Sequence, residues 1–311
     1  MYSSRRDFLK KAGFAALGAG MIPGLACQGT SKKLFFEIAL AEWSLHRTLR
    51  EGKLTNLDFA ATAKNEFGIN IIEYVNQFFK DKAEDATYLN DLLQRSKDNG
   101  VRNHLIMIDG EGGLGDTDAA ARNKAVENHF KWVNAAKHLE CVTIRVNAYG
   151  EGSAEDVSAA AIDGLGKLGE FASKSGINVI VENHGGYSSD GAWLSNVMKQ
   201  VGLPNVGTLP DFGNFCIERK PDDHNVCLKE YDRYKGTQEL MPFAKGVSAK
   251  AHSFDDQGNV VETDYNKILT IVKDSGFRGI VGIEYEGDKL SEYDGIKATK
   301  KALEKAGAEV S

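Results

Sequence analysis

Short apolar runs recur roughly every 30 to 40 residues along this chain, with longer amphipathic segments between them. The runs predict eight strands, at residues 35–40, 70–74, 102–108, 141–146, 178–183, 206–209, 246–251 and 279–283. The intervening segments have helical periodicity, for example at residues 83–99, 118–139 and 153–175. Because a parallel strand and its crossover helix together occupy about this length, the pattern indicates alternating strands and helices.

Eight such units match a closed (β/α)8 TIM barrel, which is an α/β fold. A doubly wound open sheet is the main rival, but the chain lacks a Gly-rich phosphate loop after its first strand. No low-complexity segment divides the mature chain, so we predict one barrel domain over residues 34–311. The longest segment predicted to be irregular, residues 216–238, follows the sixth strand, on the face where barrel active sites form.

The N-terminus has the features of an export signal. Arg5 and Arg6 precede the apolar, small-residue segment 12–23, and this pattern resembles a twin-arginine signal. We predict a cleaved signal at residues 1–26, a short linker at residues 27–33 and a periplasmic mature protein. A loose lipoprotein box leaves two outcomes open, free release and lipid anchoring through Cys27. An amphipathic N-terminal helix of the domain is the alternative to a signal.

Composition opposes several classes of protein. The net charge of −6 opposes a nucleic-acid partner, because binding to phosphates favours a basic face. No apolar stretch in the mature region is long enough for a transmembrane span. The cysteines lack the spacing of a metal site. Cys141 is predicted to be a buried thiol, and Cys216 and Cys227 could pair in an oxidising compartment.

Four predicted strands end in a side chain that can bind a divalent cation. They are the fifth to eighth strands, with Glu182, Asp211, His252 and Glu284. The carboxyl ends of barrel strands face one shared bowl, so these side chains can converge on a single ion. Solvent-facing strand caps are the structural alternative, and Asp211 could instead cap the following turn.

The order and spacing of these residues resemble the sugar phosphate isomerase/epimerase superfamily of xylose isomerase-like TIM barrels. The strongest matches are ENHGG at residues 182–186 and GIEYEG at residues 282–287, and WSLH at residues 43–46 also fits. The similarity covers nearly all of the mature chain. It implies a divalent metal, Mn, Mg, Co or Zn, held by Glu182, Asp211, His252 and Glu284.

Two positions depart from the pattern of this superfamily. Ser248 stands on the seventh strand where many relatives have a His ligand. His252 lies on the same strand face and could supply the imidazole, while water, His184 or Lys250 are the alternatives. Asn214 stands where some epimerases have a His, and an amide cannot shuttle protons near neutral pH.

The resemblance implies a metal-dependent sugar isomerase or epimerase. In such an enzyme, Glu182 or Glu284 would remove a proton next to a metal-bound carbonyl, giving an enediolate. The alternatives are a keto-glycoside lyase with the same enediolate chemistry and a non-catalytic sugar-binding barrel. A metal-dependent DNA phosphodiesterase is opposed by the acidic charge. Export favours an unphosphorylated sugar or keto-sugar, since phosphosugars are largely cytosolic.

Other polar residues are candidates for catalysis or for substrate binding. His184 and Lys250 are candidate acid/base groups, although Lys250 could instead form an ion pair inside the barrel. An aromatic ring at the mouth of the barrel could stack on a sugar. Relatives are often oligomers, so a homo-oligomer is an open expectation. The candidate substrate-binding residues are Trp43, His46, Arg145 and Asn214.

Overall fold

The structure is a computed structural model that describes residues 33–311, apart from the side chains of residues 224 and 225. Residues 33–311 form one compact unit. The predicted export signal, nearly all of the predicted linker and Cys27 lie outside the described residues. Within residues 33–311, no helix combines the length and the apolar character needed to cross a membrane.

The eight predicted strands form a parallel barrel, and each lies within two or so residues of its predicted position. The strands are β1 (Glu37–Ala41), β2 (Ile71–Val75), β3 (Arg102–Met107), β4 (Thr143–Val146), β5 (Asn178–Glu182), β6 (Val206–Leu209), β7 (Cys216–Lys220), β8 (Asp223–Glu230), β9 (Val247–Ala251) and β10 (Ile280–Tyr285). The barrel strands pair in the order β6-β5-β4-β3-β2-β1-β10-β9. The other two strands, β7 and β8, form a separate hairpin.

The barrel closes between β6 and β9 through isolated bridges rather than a continuous ladder. Thr208 pairs with Ala244, and Asp211 pairs with Ser248. The backbone N–H of Ser248 donates to the Pro210 carbonyl at 2.9 Å, which fixes the register across this seam. The predicted (β/α)8 TIM barrel is therefore confirmed.

Helices pack around the barrel and begin and end at residues suited to those positions. The Ser153 hydroxyl accepts from the Asp156 N–H at the start of one helix, and the Asp190 carboxylate accepts from the Trp193 N–H at the start of the next. Gly68 ends an earlier helix in the left-handed conformation that favours glycine. The helices are α1 (His46–Arg50), α2 (Phe59–Phe67), α3 (Ala86–Asp98), α4 (Ala119–His138), α5 (Ala154–Ser173), α6 (Gly191–Val201), α7 (Arg233–Leu240), α8 (Tyr265–Asp274) and α9 (Glu292–Val310).

The apolar core has two parts, and the smaller one lies inside the barrel. The larger cluster fills the space between strands and helices, with Trp132 and Phe59 among its fully buried members. The interior cluster includes Val75, Ile180 and Leu209. Because strand side chains alternate between faces, the residues two positions beyond Ile180 and Leu209 also face the interior, where they are polar.

A disulfide-linked hairpin occupies the segment that the sequence predicted to be irregular. That prediction is wrong, because β7 pairs antiparallel with β8 and α7 follows. Most hairpin side chains are exposed, so no alternation of apolar and polar residues marks these strands. Cys216 and Cys227 form a disulfide with their Cα atoms 5.8 Å apart, and Cys141 is a buried free thiol.

Candidate metal centre

Three buried carboxylates meet at the carboxyl end of the barrel. Glu182 ends β5, Asp211 follows β6 by two residues, and Glu284 lies near the end of β10. One oxygen from each carboxylate lies within 4.8 Å of the others, and none of the three residues is more than 4% exposed. Such burial is unfavourable unless protons or a cation neutralise the charge. The three side chains could therefore hold a divalent metal.

The pKa values of the cluster reflect this burial. Burial is the main cause that raises the pKa of Glu284 to about 8, against the opposing charge of Lys250. Burial likewise raises the pKa values of Glu182 and Asp211. A divalent cation would compete with these protons, so metal affinity should increase with pH.

One oxygen of Glu182 has no hydrogen-bond partner. Arg145 Nε lies 2.9 Å from Glu182 Oε2, but the two atoms lack hydrogen-bond geometry and both are buried without a partner. Asn214 Nδ2 donates to the other oxygen, Oε1, at 2.9 Å. Buried oxygens of this kind are usually satisfied, and Oε2 is available to a cation. The residues present fit a divalent metal.

Ser248 connects two of the three carboxylates across the barrel seam. Its Oγ lies 2.5 Å from Asp211 Oδ2 and 3.0 Å from Glu284 Oε2. A single hydroxyl hydrogen cannot be donated to both oxygens at once. In the absence of a cation, the arrangement therefore favours a proton on one of these carboxyls, in agreement with their raised pKa values.

His252 lies farther up the barrel than the carboxylates. It follows Ser248 by four residues, which in an extended strand is a displacement of about 13 Å. Its backbone N–H donates to Glu262 Oε1. Among the described residues, the group with metal-ligand spacing consists of the three carboxylates without His252. The structure does not bring this predicted fourth ligand into the cluster.

His252→Ala is expected to leave the bound metal unchanged, since this imidazole lies outside the carboxylate group. The measurement is elemental analysis of the purified variant after dialysis, beside Asp211→Asn, which removes a ligand charge. Loss of metal in His252→Ala, with Asp211→Asn retaining it, would place the metal at a different site.

Lys250 is a buried cation on β9 between two acidic side chains. Its Nζ lies 3.3 Å from Glu284 Oε1 and 3.1 Å from Glu286 Oε2. Burial opposes its charge, but the surrounding carboxylates, Glu284 first, raise the pKa of Lys250 well above its ordinary value. At neutral pH Lys250 is thus an ammonium ion, which donates hydrogen bonds and does not act as a base.

Glu286 is a site residue that the sequence reasoning missed. It lies two residues beyond Glu284 on the same face, and Trp43 Nε1 donates to its Oε1. Burial disfavours its ionised form, but Lys250 outweighs burial and lowers the pKa of Glu286 to about 2. The spacing of two residues after a predicted ligand was the signal available in the sequence.

A second row of polar residues lies on the side of β3 to β5. Arg145 Nη1 donates to Asp109 Oδ1 at 2.7 Å, and Asn147 Nδ2 donates to the same oxygen at 2.8 Å. His184 Nδ1 lies 2.6 Å from Tyr149 Oη. Burial, followed by the charges of Arg145 and Lys250, lowers the pKa of His184 to about 4. His184 is therefore neutral at pH 7.

A cavity of about 300 Å³ opens beside the carboxylates, within the size range of small-molecule sites. Of the predicted substrate contacts, Trp43 and Arg145 line it, as do the predicted acid/base residues Glu284 and His184. His46 instead stacks on Trp43, with ring centroids 5.0 Å apart. Asn214 is not among the described lining residues, and it donates a hydrogen bond to Glu182. The other described residues of the lining are Gln77, Ile108, Asp109, Gly110, Glu111, Gly112, His129, Asn147, Tyr149 and Glu286.

Glu73 is a further acid inside the barrel, and neither of its buried oxygens has a hydrogen-bond partner. Burial, and then the negative charge of Glu182, raises its pKa to about 8, while Arg145 opposes this shift. The folded protein therefore favours the protonated form. Stability from this group is fully present below the unfolded pKa near 4.5, falls progressively as the pH rises above it, and is lost once the pH has passed the folded pKa of about 8.

Glu73→Gln is expected to weaken this pH dependence, because a neutral amide replaces the carboxyl and no hydrogen bond is lost. At pH 7 the variant should gain on the order of 3 kcal/mol in the free energy of unfolding. The measurement is urea unfolding of the chelated protein between pH 5 and pH 9. Parallel curves for the variant and the wild type would contradict the raised pKa.

Comparison with protein families identifies the barrel. Residues 59–307 match the family model of the xylose isomerase-like TIM barrel. The chain belongs to this family. No curated protein sequence matches it.

Solved structures support the same fold for this xylose isomerase-like barrel. The IOLI protein with a bound zinc atom has a TM-score of 0.67 at 14% identity, covering 89% of this chain and 99% of that one. D-psicose 3-epimerase has a TM-score of 0.61 at 14% identity, with coverages of 87% and 96%. The 3-keto-D-glucoside 4-epimerase from E. coli has a TM-score of 0.62 at 14% identity, with coverages of 87% and 99%.

Proposed function

We propose that this protein is a metal-dependent isomerase or epimerase of an unphosphorylated sugar or keto-sugar. The convergence of Glu182, Asp211 and Glu284 beside a cavity is the observation that carries the proposal. The names of two similar structures, D-psicose 3-epimerase and 3-keto-D-glucoside 4-epimerase, are consistent with it. A lyase acting through the same chemistry is the second candidate.

A bound divalent cation would polarise a substrate carbonyl and so acidify the neighbouring C–H bond. Glu284 lines the cavity and is the first candidate base, and Glu182, outside the described lining, is the second. One carboxylate removes the proton and the other acid returns a proton to the opposite face or to the adjacent carbon. Return to the opposite face epimerises the sugar, and return to the adjacent carbon isomerises it.

The cationic and neutral side chains have separate roles in this proposal. The Lys250 ammonium stays charged and holds Glu284 and Glu286 in place. Neutral His184, fixed through Nδ1 by Tyr149, can bond a sugar hydroxyl through its other nitrogen. Arg145 forms ion pairs with Asp109 and Glu182. Its role is to orient the Glu182 carboxylate and not to transfer a proton.

The charge of the cavity supports an unphosphorylated substrate. Four acids line it, Asp109, Glu111, Glu284 and Glu286, beside the single cation Arg145 among the described lining residues. This excess of acids disfavours a phosphate group, and carboxylates accept hydrogen bonds from sugar hydroxyls. The predicted export signal and the Cys216–Cys227 disulfide support a periplasmic location, with or without a lipid on Cys27.

The test is incubation of the metal-loaded protein with keto-sugars and keto-glycosides in deuterated water, followed by NMR. We expect deuterium to enter the carbon next to the carbonyl, and chelated protein should give none. Turnover without deuterium would contradict proton exchange with solvent. Release of the aglycone would identify the lyase, and binding without any reaction would identify a sugar-binding barrel.

A further inference from the structure

A second cavity, of about 370 Å³, lies between the disulfide-linked hairpin and the loops that follow β4 and β5. Each of these three segments contributes residues to its walls. The described lining residues are Ala148, Tyr149, Gly150, Gly185, Gly186, Tyr187, Ser188, Ile217, Glu218 and Lys229.

This hairpin cavity adjoins the cavity at the carboxylates. After β4, Asn147 lines the carboxylate cavity and the next residue, Ala148, lines the hairpin cavity. After β5, His184 lines the carboxylate cavity and the next residue, Gly185, lines the hairpin cavity. Tyr149 lines both cavities, and its hydroxyl bonds His184 at their boundary. Tyr149 thus lies at the boundary that a ligand occupying both cavities would cross.

The lining of the hairpin cavity suits a ring with hydroxyl groups. The Tyr187 ring stacks on Trp193 with centroids 5.8 Å apart, and its hydroxyl donates to the Gly152 carbonyl at 2.9 Å. This aromatic face is thus fixed before a ligand binds. Glu218 and Lys229 add an acceptor and a donor on the hairpin side.

Two glycines keep the floor of the cavity open. Gly185 and Gly186 have φ values of 95° and 59°, which favour glycine, and nothing lies within 4 Å of a Cβ built at either position. The missing side chains leave room for a ligand and expose peptide groups for hydrogen bonding. A bulkier loop would fill part of this space.

The hairpin wall is attached directly to the metal-binding region. Asp211, the carboxylate after β6, is five residues from Cys216, where β7 begins. The Cys216–Cys227 disulfide joins the two hairpin strands, and the Tyr231 N–H donates to the Phe215 carbonyl at 2.8 Å. These connections restrict the wall that carries Lys229, which favours a preorganised site.

We propose that the hairpin cavity binds the second ring of a glycoside whose keto-sugar ring lies at the carboxylates. This inference rests on the proposed function and specifies its substrate class. Each cavity alone is near the lower limit of ligand sites, which is about 300 Å³, and the two together accommodate a two-ring substrate. The natural substrate is a disaccharide or an aryl glycoside rather than a free monosaccharide.

The experiment titrates metal-loaded protein with methyl 3-keto-glucoside, phenyl 3-keto-glucoside and a 3-keto-disaccharide. We expect a two-ring probe to bind about 10-fold tighter than the methyl probe. Tyr187→Ala should reduce this preference to below about 3-fold without changing affinity for the methyl probe, and Tyr187→Phe should retain it. Lys229→Ala should weaken two-ring binding, whereas Lys220→Ala, on the same hairpin but outside the described lining, should not.

The outcomes separate this inference from the proposed function. If the methyl probe exchanges deuterium but neither two-ring probe binds tighter, the hairpin cavity is no subsite and the proposed function stands. If two-ring binding depends on Tyr187 but no probe reacts, the subsite stands and the proposed catalysis is wrong. If no probe binds to metal-loaded protein, both are overturned.

Discussion

Glu284→Gln is expected to remove most of the bound divalent metal from the purified protein. The amide keeps the shape of the side chain but loses the negative charge and one ligand oxygen. Loss of a residue that only supports a ligand typically weakens metal binding about 10- to 100-fold, so loss of this ligand should exceed about 100-fold. The measurements are metal content after dialysis and the dissociation constant for Mn²⁺ by calorimetry.

Glu73→Gln is the matched control for that experiment. It makes the same substitution in the barrel interior, at a buried acid outside the group with metal-ligand spacing. It should retain the wild-type metal content and dissociation constant. Thermal unfolding of both variants separates loss of metal from loss of fold. Full metal content in Glu284→Gln would contradict the assignment of this carboxylate as a ligand.

Arg145→Met is expected to lower the free energy of unfolding of the metal-free protein by about 3–5 kcal/mol. Arg145 is 4% exposed, and its guanidinium lies within 2.9 Å of oxygens of both Asp109 and Glu182. Its removal leaves buried Glu182 and partly buried Asp109 without their main neutralising charge. Urea unfolding in the presence of a chelator is the measurement. Added divalent metal should reduce the deficit, because a cation at Glu182 compensates part of the charge.

The control for this variant is Arg102→Met. Arg102 pairs with Glu37 at 2.8 Å, but both side chains are more than half exposed. Exposed pairs contribute about 0–1 kcal/mol, so this variant should unfold close to the wild type. If both variants lose the same free energy of unfolding, burial does not strengthen the contribution of the Arg145 ion pairs to stability.

The barrel could be predicted because its strands are continuous apolar runs with helices between them. The structure also brings together Glu182, Asp211 and Glu284, which the sequence singled out by their places at strand ends. Position along a strand predicted which end of the barrel each residue occupies. It did not predict which oxygens approach one another across the barrel.

Local spacing along the chain does not encode the distances between residues on different strands. His252 shares a strand face with Ser248, but four residues of extended chain carry it away from the carboxylates. Asp109 and Glu286 lie just past strand ends and were not singled out. The hairpin escaped prediction because its exposed strands bury no apolar face, and the Cys216–Cys227 pairing depends on three-dimensional proximity.

The seam between β6 and β9 gives the carboxylates a mechanical role. Glu182 and Asp211 stand on one side of it, Ser248 and Glu284 on the other, and only isolated bridges join the backbones there in the described chain. An ion bound by the carboxylates would link the two sides of this seam, where the backbone pairing of the barrel is least continuous. Metal loading would then strengthen this closure, and amide hydrogens along the seam would exchange faster in the metal-free protein.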